Sequence, residues 1–227
     1  MGYKAEYSGE YNEMNRFENL DSIEDKILQH LVHHETKHSK NIWKLLKYAT
    51  LNALSEGDVS LSDRLSLINK DTGYPTDKRV FLSPFVDDAW AVECSSLYIF
   101  VDKIKPIDHT RAAIYVTVET VTHSKISVIN GDGDPDLNPD ANPNDSDADN
   151  EVIVDIKNRE TVLVKSLLAE LNGLYLDGIG YLQMNKLEDN VSGDVSMPLF
   201  NSRSYYGHRI NFVVEMSGIS ESADWGY

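Results

Sequence analysis

The segment RAAIYVTVETVTH, residues 111–123, decides the fold class of this chain. Apolar and more polar side chains alternate along it, Ile114, Val116 and Val118 with Tyr115, Thr117 and Glu119. A period of two residues is typical of a β-strand, because successive side chains point to opposite faces of a sheet. The alternation therefore predicts a long strand with one face on the core and the other face in solvent or at an interface.

Further short runs of β-branched and aromatic residues lie on both sides of this segment, separated by Pro, Asp and Gly. They are RVFLSPF (79–85), SSLYIFVDKI (95–104), KISVIN (125–130), EVIVDI (151–156), GIGYLQMN (178–185) and HRINFVVEM (208–216). One stretch, NRETVLVKSLLAELNG (158–173), has helical periodicity instead and ends at Gly173. Its apolar stripe comprises Val164, Leu167, Leu168 and Leu171. This order predicts an α+β fold, with a mixed, largely antiparallel sheet flanked by helices.

A helical section precedes the sheet. Ser22 is followed three residues later by Asp25, which is typical of a helix start, and the apolar residues between Ile23 and Val32 share one helical face. A second amphipathic stretch covers residues 42–54, and Gly57 is expected to end it. The predicted organisation is a polar N-terminal arm (1–20), a helical section (21–57), an α+β core domain (78–216) with an acidic hairpin insertion (130–151), and a C-terminal tail (217–227).

The polar gap between the two amphipathic stretches contains His34-Glu35-Thr36-Lys37-His38, a formal match to the H-E-x-x-H zinc-hydrolase pattern. In those enzymes both histidines face the metal from one helix, and the glutamate is the general base. Here Lys37 places a positive charge beside the metal position, and no third ligand follows. We therefore favour a solvated helix junction. Metal binding by His30, His34 and His38 and a catalytic zinc site are the alternatives.

A second candidate is the acidic run between residues 130 and 151. Its carboxylates are Asp132, Asp134, Asp136, Asp140, Asp145, Asp147, Asp149 and Glu151. The run begins like a calcium loop, but the sixth position is Leu137 where a glycine is needed, and the twelfth is Pro143 where a glutamate is needed. We expect a solvated, disordered insertion at a hairpin tip. A calcium-binding module that uses residues 132–151 is the alternative.

The composition limits the classes of partner. There are 21 Lys and Arg against 37 Asp and Glu, so the formal charge of -16 repels phosphate backbones and anionic lipid surfaces. Apolar windows do not reach the roughly 18 residues that a membrane span needs, so we expect no membrane association. Cys94 is the single cysteine, which excludes an intramolecular disulfide and is consistent with a reducing cytoplasm. We expect its thiol to be buried and unreactive.

Three segments together resemble the neck proteins of tailed bacteriophages, the head-to-tail connector and tail-terminator group. They are LYIFVDKIKPIDHTRAAIYVTVETVTH (97–123), NRETVLVKSLLAELNGLYLDGIGYLQMN (158–185) and YYGHRINFVVEM (205–216). The resemblance covers about residues 78–216 and is one of element order. It implies a mixed sheet flanked by helices that assembles into a closed ring between portal and tail, with no active site, metal or cofactor.

The resemblance thus predicts a structural virion protein, not an enzyme, assembled in the host cytoplasm. Its expected partners are further copies of itself, a portal or adaptor protein, and tail tube or terminator proteins, while DNA passes through without sequence-specific binding. The polar arms, residues 1–20 with Tyr3, Tyr7 and Tyr11 and residues 186–206, are expected to order on a neighbouring subunit. The segment MPLFNSRSYYG (197–207) is the second candidate for such docking.

Overall fold

The computed structural model of the chain describes residues 20–71, 73, 75–84, 92–107, 111–131, 156–184, 196–201 and 204–217. The helices in these ranges are α1 (Ile23–His33), α2 (Lys37–Lys47), α3 (Leu61–Leu67) and α4 (Arg159–Leu171). The strands are β1 (Val80–Phe81), β2 (Ser95–Pro106), β3 (Arg111–His123), β4 (Val128–Asn130), β5 (Ile156–Asn158), β6 (Leu174–Leu176), β7 (Gly180–Met184), β8 (Ser196–Asn201) and β9 (Tyr205–Ser217). Short 3₁₀ turns cover Leu20–Ser22, Ala53–Ser55 and Ser124–Ile126.

The main sheet has the strand order β1-β2-β3-β9-β7-β6, and β8 pairs with the other end of β9. The β1–β2 pair is parallel, and the remaining pairs of this sheet are antiparallel. The predicted α+β fold with a mixed, largely antiparallel sheet and an N-terminal helical section is therefore confirmed. Within the described ranges, every helix is too short or too polar to cross a membrane.

Strand β3 lies at the centre of the sheet, between β2 and β9. Ile114, Val116 and Val118 are fully buried in the main core, to which α1, α2 and α4 also contribute. The prediction that the opposite face lies in solvent or at an interface is wrong at Thr117 and Glu119, which are only 2% and 1% exposed within the single chain. That face carries a second apolar cluster, formed by Phe81, Cys94, Tyr98, Val121 and Tyr205. Both faces of the strand are consequently buried over most of its length.

The second amphipathic stretch ends earlier than its sequence predicts. Helix α2 stops at Lys47 rather than continuing toward Gly57. The carbonyls of Leu45 and Tyr48 accept hydrogen bonds from the guanidinium of Arg159, at 2.9 and 2.8 Å, and this distant side chain caps the end of the helix. Helix α3, which the sequence analysis did not predict, follows after Ser60, whose hydroxyl accepts from the Asp63 amide.

The buried face of helix α4 includes Leu167 and Leu171 of the predicted stripe but is centred differently from the prediction. Leu163, Leu167 and Leu171 are fully buried, whereas Val164 and Leu168 are only partly covered. The remaining buried positions are polar or charged, namely Arg159, Glu160, Ser166 and Glu170. The helix thus faces the core with a row of leucines flanked by charged side chains, each of which needs a partner.

The base of the acidic insertion is a two-stranded ladder, β4 with β5, in which Asn130 lies opposite Ile156. This ladder joins the residues on either side of the insertion, and the hairpin predicted between them stays a prediction. The candidate calcium ligands of residues 132–151 lie outside the described residues, as do arm residues 1–19 and tail residues 218–227. Strands β6 and β8 were not predicted. Residues 197–201, the first part of the segment 197–207 that is expected to dock on a neighbouring subunit, lie in β8, which pairs with this chain's own β9. Docking of this segment stays a prediction.

Candidate functional site

The H-E-x-x-H pattern lies across a break between two helices. Helix α1 ends at His33, and His34 follows with an extended backbone, ψ 133°. Thr36 caps the next helix by accepting a hydrogen bond from the Ser39 amide at 3.1 Å. His34 and His38 therefore belong to different elements, whereas the zinc-hydrolase pattern needs both on one helix. The predicted helix junction is confirmed.

Glu35, the general base in that pattern, lies at the surface. Its carboxylate is 3.0 Å from Arg64 and 3.9 Å from Lys40, and its side chain is 64% exposed. The Arg64 side chain is buried and donates to the carbonyls of Val32 at 2.7 Å and Val59 at 3.1 Å. Glu35 is thus the solvent-side partner of an arginine that caps the end of α1.

The junction does contain a cluster of ligand-type side chains, formed by His30, His34 and Glu170. His34 Nδ1 lies 2.6 Å from Glu170 Oε2, and His30 Nε2 lies 3.4 Å from the same oxygen. The two imidazole rings are 4.5 Å apart between centroids. The hydroxyl of Thr36 donates to Oε1, the other oxygen of the carboxylate. Within the ranges that the structure describes, this is the one place where three potential metal-ligand atoms come within 4.8 Å of one another.

Burial and charge set the protonation of this cluster. Burial, followed by repulsion from His34, lowers the pKa of His30, although Glu170 acts in the opposite direction. Burial alone would raise the pKa of Glu170, but hydrogen bonds from Thr36 and His34 and the nearby imidazoles hold it below its ordinary value. The cluster therefore combines a buried carboxylate with an imidazole whose neutral form is favoured, and these are the forms that bind metals.

His38 does not join His30 and His34, so the alternative of metal binding by these three histidines is wrong in its third member. His38 is on α2, where it lines a separate groove with Lys37, Lys157 and Lys165. The third member of the cluster is Glu170, which is 136 residues distant from His34 along the chain. The sequence does contain a signal for Glu170, because a residue three positions after Leu167 on an amphipathic helix is expected to face the core.

A second buried carboxylate, Glu160, anchors the other end of α4. Thr122 Oγ1 donates to Glu160 Oε2 at 2.6 Å, and Thr120 donates to Oε1. His208 Nδ1 of β9 is 3.5 Å from Oε1. Burial, followed by the charge of Glu160, raises the pKa of Tyr206 to about 12. The two threonine hydroxyls fix the carboxylate against the sheet, which positions the helix on strand β3.

Arg159, the residue before Glu160, is fully buried, and its acceptors in the described part of the chain are all backbone carbonyls. Its acceptors are Ile126 at 2.8 Å, Leu45 at 2.9 Å, Tyr48 at 2.8 Å and Thr50 at 2.6 Å. Burial lowers the pKa of this guanidinium to about 10. The side chain thus joins the start of α4 to the end of α2 and to the turn before β4.

Cys94 lies in the second apolar cluster and is 4% exposed. Burial raises the pKa of its thiol to about 11, although Arg79 acts in the opposite direction. The predicted buried, apolar thiol is confirmed, and its environment opposes the thiolate that a nucleophile or metal ligand requires.

The outer end of strand β2 is exposed, whereas its beginning is buried. Strand β2 is buried from Ser95 to Ile99 and exposed from Asp102 to Pro106. The change follows a bulge between Val101 and Lys103, beside which the Glu24 carboxylate of α1 accepts from the Val101 amide at 2.9 Å.

Comparisons of the chain with protein-family models, with curated proteins and with solved structures found no match.

Proposed function

We propose that this chain is a structural virion protein of a tailed phage, a subunit of the neck ring that joins the portal to the tail. The resemblance over residues 78–216 is the starting point of the proposal. The fold supports it, because an α+β domain with a mixed sheet flanked by helices is what the resemblance implies. The proposal assigns the chain no catalytic residue and no cofactor.

The observation that carries the proposal is the outer end of β2. Strand β1 covers the β2 edge only at Leu97 and Tyr98, and beyond them no other described strand pairs with this edge. Two apolar side chains stand at this end, Ile104 with 47% and Ile107 with 45% exposure. An open edge with exposed apolar side chains is a surface onto which a strand or face of another chain adds. In a ring, the neighbouring subunit covers it.

The charge of the chain supports a role around passing DNA. A formal charge of -16 repels phosphate, so DNA that moves through a ring of such subunits is not retained by tight backbone contacts. The acidic insertion contributes much of this charge, because eight carboxylates lie between residues 132 and 151. Calcium binding by that insertion remains the alternative proposal.

The oligomeric state tests the proposal. We expect the purified chain, alone or mixed with the portal protein of its phage, to form closed rings that negative-stain microscopy and sedimentation velocity detect. Ile104→Lys should weaken ring formation, because it places a charge in the contact. Leu61→Lys is the matched control, since Leu61 is also 47% exposed but belongs to helix α3 and not to strand β2.

A chain that stays monomeric at every concentration, both alone and with the portal protein, would contradict the proposal. A ring that forms equally well with Lys at position 104 would contradict only the placement of the β2 edge in the subunit contact.

A further inference from the structure

The cluster of His30, His34 and Glu170 connects the end of α1 to the end of α4. We propose that these three residues bind one divalent transition-metal ion, with Zn²⁺ as the ion that fits the ligands best. The ion would join the two helices at the junction that precedes α2. This inference is independent of the ring assembly proposed above.

The spacing of the ligand atoms fits a tetrahedral site. With bonds of about 2.0–2.1 Å to zinc, neighbouring ligand atoms lie roughly 3.3 Å apart. His30 Nε2 and Glu170 Oε2 are 3.4 Å apart, so this pair already has the required separation. His34 Nδ1 is 2.6 Å from the same oxygen and has to move back by roughly 0.7 Å. The His34 side chain is 47% exposed and has room for that movement.

The hydrogen bonds around the cluster also fit a metal. His30 Nε2 is buried, and its nearest described partner is Glu170 Oε2 at 3.4 Å, with which it makes no well-formed hydrogen bond, so a metal bond would satisfy that nitrogen. Glu170 is 7% exposed, and the Thr36 hydroxyl orients its carboxylate from the oxygen that faces away from the imidazoles. Such outer contacts hold metal-binding carboxylates in position.

The chemistry of the ligands selects the class of ion. Two imidazoles and one carboxylate suit zinc and its neighbours in the first transition row, whereas calcium and magnesium take oxygen ligands. The open side of the cluster, next to the exposed imidazole of His34, leaves a fourth position for water. The acidic chain raises the local concentration of cations at its surface.

Two other arrangements make different predictions. The H-E-x-x-H pattern would use His34 and His38, whereas the proposed site uses Glu170 and leaves His38 out. A cluster that is only an ion pair between His34 and Glu170 would not retain a metal. Variants of individual residues therefore distinguish all three arrangements.

The experiment uses the full chain without an affinity tag. Co²⁺ is titrated and the visible absorption of tetrahedral cobalt is recorded, and Zn²⁺ is then titrated by competition and by calorimetry. We expect one ion per chain, bound at least about 10-fold more weakly by His34→Ala and by Glu170→Gln. His33→Ala and His38→Ala should bind as the wild type does, since His33 is an exposed neighbour on α1.

The controls keep the inference testable. Circular dichroism confirms that each variant is folded, and His34→Ala decides alone if Glu170→Gln unfolds, because His34 is exposed. The proposal is overturned if the wild type takes up no stoichiometric metal, or if His34→Ala binds as tightly as the wild type. Loss of binding in His38→Ala, with binding retained in Glu170→Gln, would assign the ion to the H-E-x-x-H pattern instead.

Discussion

Replacing Arg159 with methionine tests whether this one side chain holds α4 to the rest of the core. Methionine fills much of the space but donates no hydrogen bond, so four carbonyls lose their donor. The carbonyls of Ile126 and Leu45 are in buried surroundings, and each buried carbonyl left without a hydrogen-bond donor costs about 1–3 kcal/mol of stability. Those of Tyr48 and Thr50 are only partly buried and can bond to water.

The expected loss of stability follows from these contacts. Two stranded carbonyls give about 2–6 kcal/mol, and removing a buried charge offsets part of this, so we expect a loss of about 3 kcal/mol. With a urea m-value of about 3 kcal/mol/M, the midpoint of unfolding should fall by about 1 M. Arg159→Lys keeps the charge but cannot span the four acceptors, and we expect an intermediate loss.

Urea unfolding followed by tryptophan fluorescence and circular dichroism measures the change. Lys165→Met is the matched control, because Lys165 is exposed on the same helix and a surface change should stay within about 0.5 kcal/mol. A loss below about 1 kcal/mol for Arg159→Met, with an unchanged m-value, would refute the assignment of Arg159 as the anchor of α4.

Two further predictions concern the sheet. An alanine Cβ at Gly207 would lie 2.0 Å from the Thr120 carbonyl oxygen, so Gly207→Ala should separate β9 from β3 and lower the free energy of unfolding by about 2 kcal/mol or more. A Cβ at Gly57 would have no atom within 4 Å, so Gly57→Ala should change stability by less than about 0.5 kcal/mol in the same urea assay. The ordinary thiol pKa of 9.0 is raised to about 11 at Cys94, so iodoacetamide should alkylate the folded chain at pH 8 at least about 100-fold more slowly than the unfolded chain. Because the thiol of the unfolded chain loses its proton at a lower pH than the buried thiol, the free energy of unfolding of the wild type should fall between pH 9 and 11. The free energy of unfolding of Cys94→Ala should fall less over this range, and equal pH profiles for the two proteins would contradict the buried thiol.

The strands of the sheet were largely predictable because their signals are local. The alternation in residues 111–123 and the runs at 95–104 and 208–216 correspond to β3, β2 and β9. Strand β8 was missed because Pro198 and a polar neighbourhood hide a strand at the edge of the sheet. Helix α3 was missed because seven residues give too little periodicity to recognise.

The candidate site was only half predictable. His30 and His34 are four residues apart at the end of a helix, so their proximity follows from the helical repeat. Their carboxylate partner follows from tertiary packing alone, since Glu170 comes from a helix after the acidic insertion. The end of α2 was not predictable for the same reason, because the side chain that caps it, Arg159, follows the acidic insertion in the sequence.

The ladder at the base of the acidic insertion, β4 with β5, determines how the length of that insertion affects stability. Asn130 lies opposite Ile156, and the Asn130 amide also donates to the Leu51 carbonyl at 2.8 Å, so the two ends of the insertion are held beside each other. Loop-closure entropy grows only with the logarithm of length, about 0.6 kcal/mol for each doubling. A change in the length of the chain between these two positions therefore adds only this small loop-closure term, which makes this point of the chain a candidate for carrying a foreign epitope or reporter.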